Sequence, residues 1–203
     1  MVSTQKKELR KNALKRRAQY SGKDRAEAAE QLANQLLTLT VIKQAKTISA
    51  YVPFGGEINI LPALGALFDA EECAIERVVM PRVVEKEDRL ALHECNSELF
   101  TSVIGGGAFV EGYGGILEPP ASWPEINFED VDVIIVPGVA FDRNCFRIGY
   151  GKGFYDRMLA QCKNDSHVIG VIFDELLYDT LPLEEHDVAM DMVVSPHEIL
   201  QRA

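Results

Sequence analysis

The chain has 203 residues, of which 47% are hydrophobic and 26% are charged. This composition is typical of a globular protein, and the length fits a single domain covering residues 1–203. A chain of this size buries roughly 70% of its unfolded surface, so it needs no disulfide framework or structural metal. The four cysteines lie far apart without a C-x-x-C pair, which argues against a zinc site and a redox motif. Reduced thiols, and therefore a cytoplasmic protein, are expected.

Charge and hydropathy exclude further classes. No segment approaches the roughly 18 consecutive apolar residues of a membrane span, and no apolar stretch follows the basic N-terminus, so no membrane partner is expected. The formal net charge of -10 disfavours nucleic acid as a partner. Residues 1–25 nevertheless carry nine of the 21 lysines and arginines. Such a segment is typical of a solvated helix face, an organelle transit peptide or a phosphate-binding element.

Two helices are predicted before any strand. Residues 4–19 are strong helix formers. The apolar side of this helix carries Leu9, Ala13 and Leu14. Ser21 followed by Asp24 resembles a capping box, and it opens a second helix with a broad apolar stripe within residues 28–37.

The rest of the chain alternates between strands and helices. Short runs rich in Val, Ile or aromatic residues predict strands at 47–54, 74–80, 89–94, 131–136, 167–173 and 188–194. Helical segments at 59–68 and 153–162 lie between strands. This alternation predicts an α/β fold with a largely parallel central sheet flanked by helices. The Gly- and Pro-rich stretch 104–127 is predicted to be a long surface loop of the kind that often covers a site.

The most informative stretch, residues 131–159, reads VDVIIVPGVAFDRNCFRIGYGKGFYDRML. A buried strand and a polar turn precede the segment RIGYGKG (residues 147–153, here the phosphate loop), which leads into a helix. Its glycines free backbone N–H groups to converge, the helix offers its positive end, and Arg147 and Lys152 add full charges. We therefore predict a polyphosphate site. The alternative is a glycine-rich turn with solvated charges.

The phosphate loop matches neither common nucleotide fingerprint. A P-loop requires Ser or Thr after its GK pair and Gly six positions before the Lys, but Gly153 follows Lys152 and Phe146 holds the earlier position. A dinucleotide G-x-G-x-x-G fingerprint requires Gly where Phe154 stands. A nucleotide would therefore be bound by a loop of a different kind.

A carboxylate beside the phosphate loop predicts a Mg²⁺ site. Asp156 lies one helical turn beyond the loop, and Mg²⁺ commonly takes one or two carboxylates in addition to phosphate oxygens and water. The second carboxylate is expected in the segment LPLEEHDVAMD, where the candidates are Glu184, Glu185, Asp187 and Asp191. Each of these side chains could also be merely solvent-facing.

The sequence resembles the 5-formyltetrahydrofolate cyclo-ligase family, also called 5,10-methenyltetrahydrofolate synthetases, along nearly the whole chain. The resemblance rests on KKELR near the N-terminus, Glu57 in PFGGEI, Met80-Pro81-Arg82, VPGVAFD, RIGYGKGFYDR and EEHDVAMD. Of these, RIGYGKGFYD is the specific motif. One position departs from the family pattern, because Cys145 stands where the family usually has glycine. The entry to the phosphate loop is affected if that site requires a positive φ angle.

This resemblance implies an enzyme that converts 5-formyltetrahydrofolate and ATP to 5,10-methenyltetrahydrofolate, ADP and phosphate through a phosphorylated N5-formyl intermediate. The cofactors implied are ATP and Mg²⁺. The partner implied is a folate, with or without a polyglutamate tail, and we expect a monomer. Two alternatives stay open: another Mg-ATP-dependent kinase or ligase acting on a different small acid, and a non-enzymatic nucleotide- or RNA-binding module.

The resemblance also implies site residues. Facing ATP would be Lys6, Lys7 and Arg10. Around the phosphates and the adjoining folate would lie Arg147, Gly149, Tyr150, Gly151, Lys152, Gly153, Phe154 and Tyr155. Three of these residues would act in catalysis, namely Arg147, Lys152 and Tyr155. The Mg²⁺ ligands would be Asp156 and Asp187. The folate pocket would be lined by Val52, Phe54, Glu57, Tyr150 and Tyr155.

Overall fold

The structure, a computed structural model, describes residues 2–95, 109–162, 165–185 and 187–202. Three helices come first, namely α1 (Val2–Arg17), α2 (Gly22–Thr38) and the short α3 (Thr40–Gln44). The predicted capping box is confirmed. The Asp24 N–H donates to Ser21 Oγ at 3.2 Å, and the Ser21 N–H donates to the Asp24 carboxylate at 2.9 Å. These reciprocal bonds fix the start of α2.

The inner face of α1 is basic rather than apolar. Positions 6, 10, 13 and 17 follow helical spacing and therefore share one face. Lys6 is 9% exposed, Ala13 is fully buried and Arg17 is 1% exposed. Leu9 and Leu14 are only partly buried against the core. The helix is therefore held to the protein largely by polar contacts of its cations.

Thirteen strands and two further helices follow in the described residues. In chain order they are β1 (Thr47–Ser49), α4 (Leu61–Asp69), β2 (Arg77–Val84), β3 (Arg89–Cys95), β4 (Val110–Glu111), β5 (Leu117–Glu118), β6 (Glu125–Ile126), β7 (Val133–Pro137), β8 (Ala140–Asp142), β9 (Arg147–Ile148), α5 (Phe154–Leu159), β10 (His167–Val171), β11 (Leu177–Tyr178), β12 (Met192–Val194) and β13 (Ile199–Gln201).

Eight of these strands form the central sheet, in the order β13-β12-β10-β7-β1-β2-β3-β6. The five strands from β12 to β2 are mutually parallel. The strands β13, β3 and β6 join antiparallel at the two edges. Residues 133–136 of β7 are fully buried, as expected for a central strand covered on both faces. The predicted α/β fold with a largely parallel sheet is confirmed.

The strand order reverses at β1. This strand pairs with β2 on one side and with β7 on the other, with Ile48 opposite both Val78 and Val133. The loops that leave the carboxyl ends of β1 and β7 therefore diverge and open a crevice between them. Open α/β sheets bind ligands in such crevices.

Several elements differ from the sequence prediction. Strand β1 stops at Ser49, because the chain then turns into the loop that lines the crevice. Strand β2 continues to Val84 through Pro81, which is tolerated because Pro81 lies beyond the last β1 pair at Val79. Strand β12 and helix α5 are shorter than the predicted 188–194 and 153–162.

Two connections also differ. The predicted polar turn before the phosphate loop is a hairpin of β8 and β9, which joins β11 in a three-stranded sheet. The predicted surface loop 104–127 lies partly outside the described residues, and its part from 109 onward contains β4, β5 and β6. In the described part of the chain, no helix is both long and apolar enough to cross a membrane.

Candidate active site

A cavity of about 690 Å³ lies at the crevice between β1 and β7. Its walls come from α1, the loop after β1, the β4–β5 hairpin, the phosphate loop with α5, and the segment that holds Asp187. Every site residue implied by the family resemblance lines this one cavity. They are Lys6, Lys7, Arg10, Val52, Phe54, Glu57, Arg147, Gly149, Tyr150, Gly151, Lys152, Gly153, Phe154, Tyr155, Asp156 and Asp187.

The phosphate loop turns through glycines. Gly151 and Gly153 have φ angles of 93° and 69°, in the left-handed region that favours glycine. A Cβ atom on Gly151 would also lie 3.2 Å from the Arg10 guanidinium. The following helix has only six residues, so we expect the exposed charge of Lys152 and the loop amides to contribute more to anion attraction than a helix dipole does.

Helix α1 is fastened to the phosphate loop by Arg10. Its Nε–H donates to the carbonyl oxygen of Gly149 at 2.7 Å. Lys7 is exposed at the edge of the same cavity. One turn of α1 therefore supplies two cations to the cavity wall, of which Arg10 contacts the loop.

Lys6 contacts carboxylates in this structure. Its ammonium group lies 2.9 Å from Glu184 and 2.5 Å from Asp187. Burial alone would lower the pKa of Lys6, but the hydrogen bonds to the two carboxylates outweigh it, so the pKa is raised. Lys6 thus stays charged and ties α1 to the acidic segment.

The two predicted Mg²⁺ ligands both face the cavity and both have cationic partners. Asp156 accepts from Arg147 at 2.6 Å. Asp187 accepts from Lys6 and, at 2.7 Å, from the Glu184 N–H. Within the described ranges no three His, Cys, Asp or Glu side chains are grouped as a ready-made metal cage. Mg²⁺ commonly binds one or two carboxylates together with substrate phosphates, and this pair fits that pattern.

Of the other acidic candidates, Asp191 makes contacts that stabilise the fold. Its carboxylate accepts the Val168 N–H at 2.8 Å and lies 3.4 Å from Arg202. It does not line the cavity, whereas Glu184 does.

Glu57 is a carboxylate set into the opposite wall. It is 9% exposed, and its Oε2 atom accepts the Phe54 N–H at 3.0 Å. Burial raises the pKa of Glu57 to about 7, although the Phe54 N–H and the Arg17 charge both act to lower it. Burial also raises the pKa of Tyr150 and of Tyr155, with a further contribution from Glu57. Both phenols therefore keep their protons and remain hydrogen-bond donors.

A hairpin covers part of the cavity. Glu118 of β5 is 2% exposed and accepts the N–H groups of Val83 at 3.2 Å and Tyr113 at 3.3 Å. The Tyr113 ring packs edge-on against Phe154, with 5.5 Å between centroids. The described part of the predicted covering loop therefore does line the site.

Two arginines behind the cavity, the buried Arg17 and the half-buried Arg25, were missed by the sequence analysis. Arg17 donates to the Gly138 carbonyl at 3.2 Å and to the Tyr150 hydroxyl. Arg25 donates to the Arg17 carbonyl at 2.7 Å and to the Gly56 carbonyl. The available signal was spacing, because Arg17 lies seven residues after Arg10 and hence on the same helix face.

Cys145 has the conformation for which the family's glycine is suited. Its φ angle is 65°, and its side chain is fully buried. The turn is held by Asp142, whose Oδ1 atom accepts the N–H groups of Asn144 and Phe146 at 3.0 and 2.9 Å. Burial raises the pKa of the Cys145 thiol. The residue does not line the cavity, so it is a structural part of the loop entry.

Comparison with known proteins shows the family of the chain. The family model of 5-formyltetrahydrofolate cyclo-ligases matches residues 2–196. The chain is 34% identical over 197 residues to the 5-formyltetrahydrofolate cyclo-ligase of Mycolicibacterium smegmatis, covering 97% of this chain and 96% of that relative. It is 28% identical over 188 residues to the Escherichia coli enzyme of the same name, covering 91% and 96%. The solved 5,10-methenyltetrahydrofolate synthetase of Aquifex aeolicus superposes with a TM-score of 0.78 at 30% identity, covering 97% of this chain and 92% of that one. The chain belongs to the 5-formyltetrahydrofolate cyclo-ligase family.

Proposed function

We propose that this protein is a 5-formyltetrahydrofolate cyclo-ligase that uses ATP to form 5,10-methenyltetrahydrofolate, ADP and phosphate. One observation carries the proposal. The cavity at the crevice between β1 and β7 joins the cationic phosphate loop to a wall that presents the buried carboxylate of Glu57. The loop suits the phosphates of a nucleotide, and the wall suits a flat heterocycle with N–H donors.

The chemistry requires activation of a poor electrophile. The N5-formyl group is amide-like, so its carbon is a poor electrophile for N10, and its oxygen must leave once N10 has attacked. In the reaction that we propose, the formyl oxygen attacks the γ-phosphorus and ADP leaves. N10 then bonds to the formyl carbon, and the C–O bond breaks to release phosphate, which takes up the N10 proton. No protein nucleophile is required.

The residues of the phosphate loop would position the transferring phosphoryl group and neutralise its charge. Lys152 is exposed at the cavity, and Arg147 is held in place by Asp156 at 2.6 Å and by the face of the Tyr155 ring, 5.4 Å from its guanidinium carbon. Arg10 fixes the loop backbone at Gly149. Phosphoryl transfer depends mainly on such positioning and charge stabilisation.

We further propose that Asp156 and Asp187 would hold Mg²⁺ together with the nucleotide phosphates. The fit rests on two hard oxygen donors at one cavity, each now neutralised by a cation. Bound Mg²⁺ would supply charge neutralisation of the triphosphate. Arg147 and Lys6, released from the carboxylates, would then be available to phosphate oxygens.

On the folate side, Glu57 would accept N–H groups of the pterin. Its Oε2 atom is already used by the Phe54 N–H, whereas its Oε1 atom lies 3.9 Å from Arg17. Phe54 and Tyr155 would supply aromatic surface for the ring. The bound pterin is thereby oriented with its formyl group toward the phosphate loop.

A polyglutamate tail would meet basic side chains outside the cavity. Lys7, Lys11 and Lys15 are exposed and recur every four residues, so they follow one face of α1 away from the cavity edge. We propose that they attract the tail carboxylates. Replacing Lys11 and Lys15 by glutamine should then raise KM for a polyglutamylated substrate but not for the monoglutamate.

We also propose that residues 1–203 act as one catalytic domain and as a monomer in the cytoplasm. All four cysteines are free thiols in the structure, which agrees with a reducing compartment. Light scattering of the purified protein tests the monomer directly.

The decisive test is an absorbance assay at the methenyl-folate band with 5-formyltetrahydrofolate, ATP and Mg²⁺. Methenyl product that appears only with ATP, in step with ADP, is the expected result. ADP release without methenyl product would indicate a kinase or ligase for another small acid. Salt-sensitive RNA binding without ATP turnover would instead indicate a nucleic-acid-binding module.

A further inference from the structure

Arg17 is a buried cation without a close counter-ion. It is 1% exposed at the last position of α1, and the nearest carboxylate oxygen, Glu57 Oε1, lies 3.9 Å away. Its Nε atom has no hydrogen-bond partner among the described residues. A guanidinium group is costly to bury with such incomplete pairing. An apolar residue would fill this place with less loss of stability, so the contacts of Arg17 call for a functional explanation.

Those contacts join three separate parts of the cavity wall. Arg17 donates to Gly138 in the loop after β7, donates to the hydroxyl of Tyr150 in the phosphate loop, and faces Glu57 in the loop after β1. The guanidinium carbon also lies 5.4 Å from the centre of the Tyr150 ring. The planar guanidinium fork, with five donors, is suited to contacting three loops at once.

Tyr150 continues this connection to the folate side. Its hydroxyl lies 3.4 Å from the Phe54 carbonyl, to which it donates, and its ring contacts the Phe54 ring with 6.0 Å between centroids. The two loops approach closely here, since a Cβ on Gly55 would lie 2.9 Å from the Tyr150 hydroxyl. A shift of the phosphate loop at Tyr150 must therefore displace Phe54 directly and Glu57 through Arg17.

Arg17 itself is not part of the cavity lining. We infer that Arg17 is a positioning residue that couples the two halves of the site, so that nucleotide on the phosphate loop fixes Tyr150 and, through Arg17, the folate-binding wall at Glu57. It acts through Tyr150 and Glu57 without contacting either substrate. The inference rests on the proposed function, because it takes the nucleotide and the folate as occupants of the two halves.

Coupling is a measurable ratio that does not require turnover. Calorimetric titration of 5-formyltetrahydrofolate, with and without the non-hydrolysable analogue AMP-PNP and Mg²⁺, gives the folate Kd in the two states. In the wild-type protein we expect the analogue to tighten folate binding about fivefold or more. In Arg17→Met we expect this ratio to fall to about one. The adjacent exposed control Arg16→Met should keep the wild-type ratio.

A second pair of variants separates coupling from simple damage to the fold. Arg17→Lys keeps the buried charge but cannot reach all three loops, so the ratio of its two folate Kd values should also fall. This variant keeps the test available if Arg17→Met does not fold. Tyr150→Phe removes the shared hydroxyl, and combining it with the Arg17 variant should reduce the ratio no further than the Arg17 variant alone.

The inference is overturned if AMP-PNP does not change the folate Kd of the wild-type protein. It is also overturned if Arg17→Lys or Arg17→Met keeps the same Kd ratio as the wild type, or if the double variant loses more of this ratio than the Arg17 variant alone. Failure of the proposed function is distinct from these results. It would show as a wild-type protein that makes no methenyl product, whereas an active enzyme with unchanged coupling in the variants contradicts only the role of Arg17.

Discussion

Arg147 and Asp156, nine residues apart, form a 2.6 Å ion pair across the start of α5, with the Arg147 side chain 7% exposed and that of Asp156 35% exposed. The more accessible partner is the carboxylate. The proposed divalent cation, arriving with a nucleotide, would therefore meet the Asp156 carboxylate from the cavity and take the place of Arg147 beside it.

Asp156→Asn should lower kcat on the order of 100-fold or more, because the proposed Mg²⁺ would lose a charged ligand. The fold should persist, since Asn still accepts from Arg147. Steady-state kinetics over a range of Mg²⁺ concentrations measure the effect. Near-normal activity at saturating Mg²⁺ would remove Asp156 from the metal site. Glu198→Gln, which weakens an ion pair with Arg143 outside the cavity lining, is the matched control and should be fully active.

Arg10→Gln should raise KM for ATP about tenfold, because it loses both a charge and the bond that holds the Gly149 carbonyl. Lys7→Gln removes only an exposed charge, so we expect a change of about threefold or less. Lys11→Gln, one turn further along α1 and outside the cavity lining, should leave ATP kinetics unchanged. Equal effects of Arg10→Gln and Lys11→Gln would contradict the contact role of Arg10.

The pH dependence of folate use should report Glu57. With a pKa raised by burial to about 7, Glu57 loses its charge as the pH falls below that value. It then accepts pterin N–H groups less well, so kcat/KM for the folate should fall on the acid side. The groups that face Glu57 are Arg17, Tyr51, Tyr150 and Tyr155. None of the three phenols ionises in this range, because burial raises each pKa. Glu57→Gln should abolish this acid limb while lowering folate affinity.

The Glu57 carboxyl should also make the stability of the fold depend on pH, in the direction opposite to its effect on folate use. The folded protein binds the Glu57 proton more tightly than the unfolded chain does, since its pKa is raised from 4.5 to about 7. Its contribution to stability is therefore full at low pH and is lost as the pH rises through about 7. Glu57→Gln should raise Tm more at about pH 8 than at about pH 5. The exposed control Glu76→Gln should show no such difference, and a pH-independent gain in Glu57→Gln would contradict the raised pKa.

Cys145→Val should destabilise the protein by about 2 kcal/mol, because a β-branched residue resists the φ angle of 65°. Cys145→Gly should stay within about 1 kcal/mol of the wild type, since relief of strain offsets the lost side-chain contacts. Urea unfolding measures both. Cys95→Val is the matched control, because Cys95 is also buried but lies in β3, where branched residues are favoured. Equal stability of the Cys145→Val and Cys95→Val variants would refute the strain argument.

The sheet and the glycine turns of residues 147–153 could be predicted from the sequence because both depend on local pattern. The run VDVIIV is apolar on both faces, and RIGYGKG places its glycines where the chain turns. The contacts of Lys6 and Arg17 were harder to predict from the sequence. Each depends on a partner more than 100 positions away, namely Asp187 and Tyr150, and no local periodicity specifies which distant loop a helix face meets. The β8–β9 hairpin was missed because its strands are only three and two residues long.

The basic inner face of α1 also has a practical consequence for protein production. Ser3 already lines the cavity, so an affinity tag or fusion partner joined ahead of it would begin within a few residues of the cavity opening. Such an extension can obstruct substrate entry or pull Lys6 and Arg10 from their contacts while leaving the sheet intact. The far edge strand β13 does not line the cavity, and the carboxyl end beyond it is the better position for a tag.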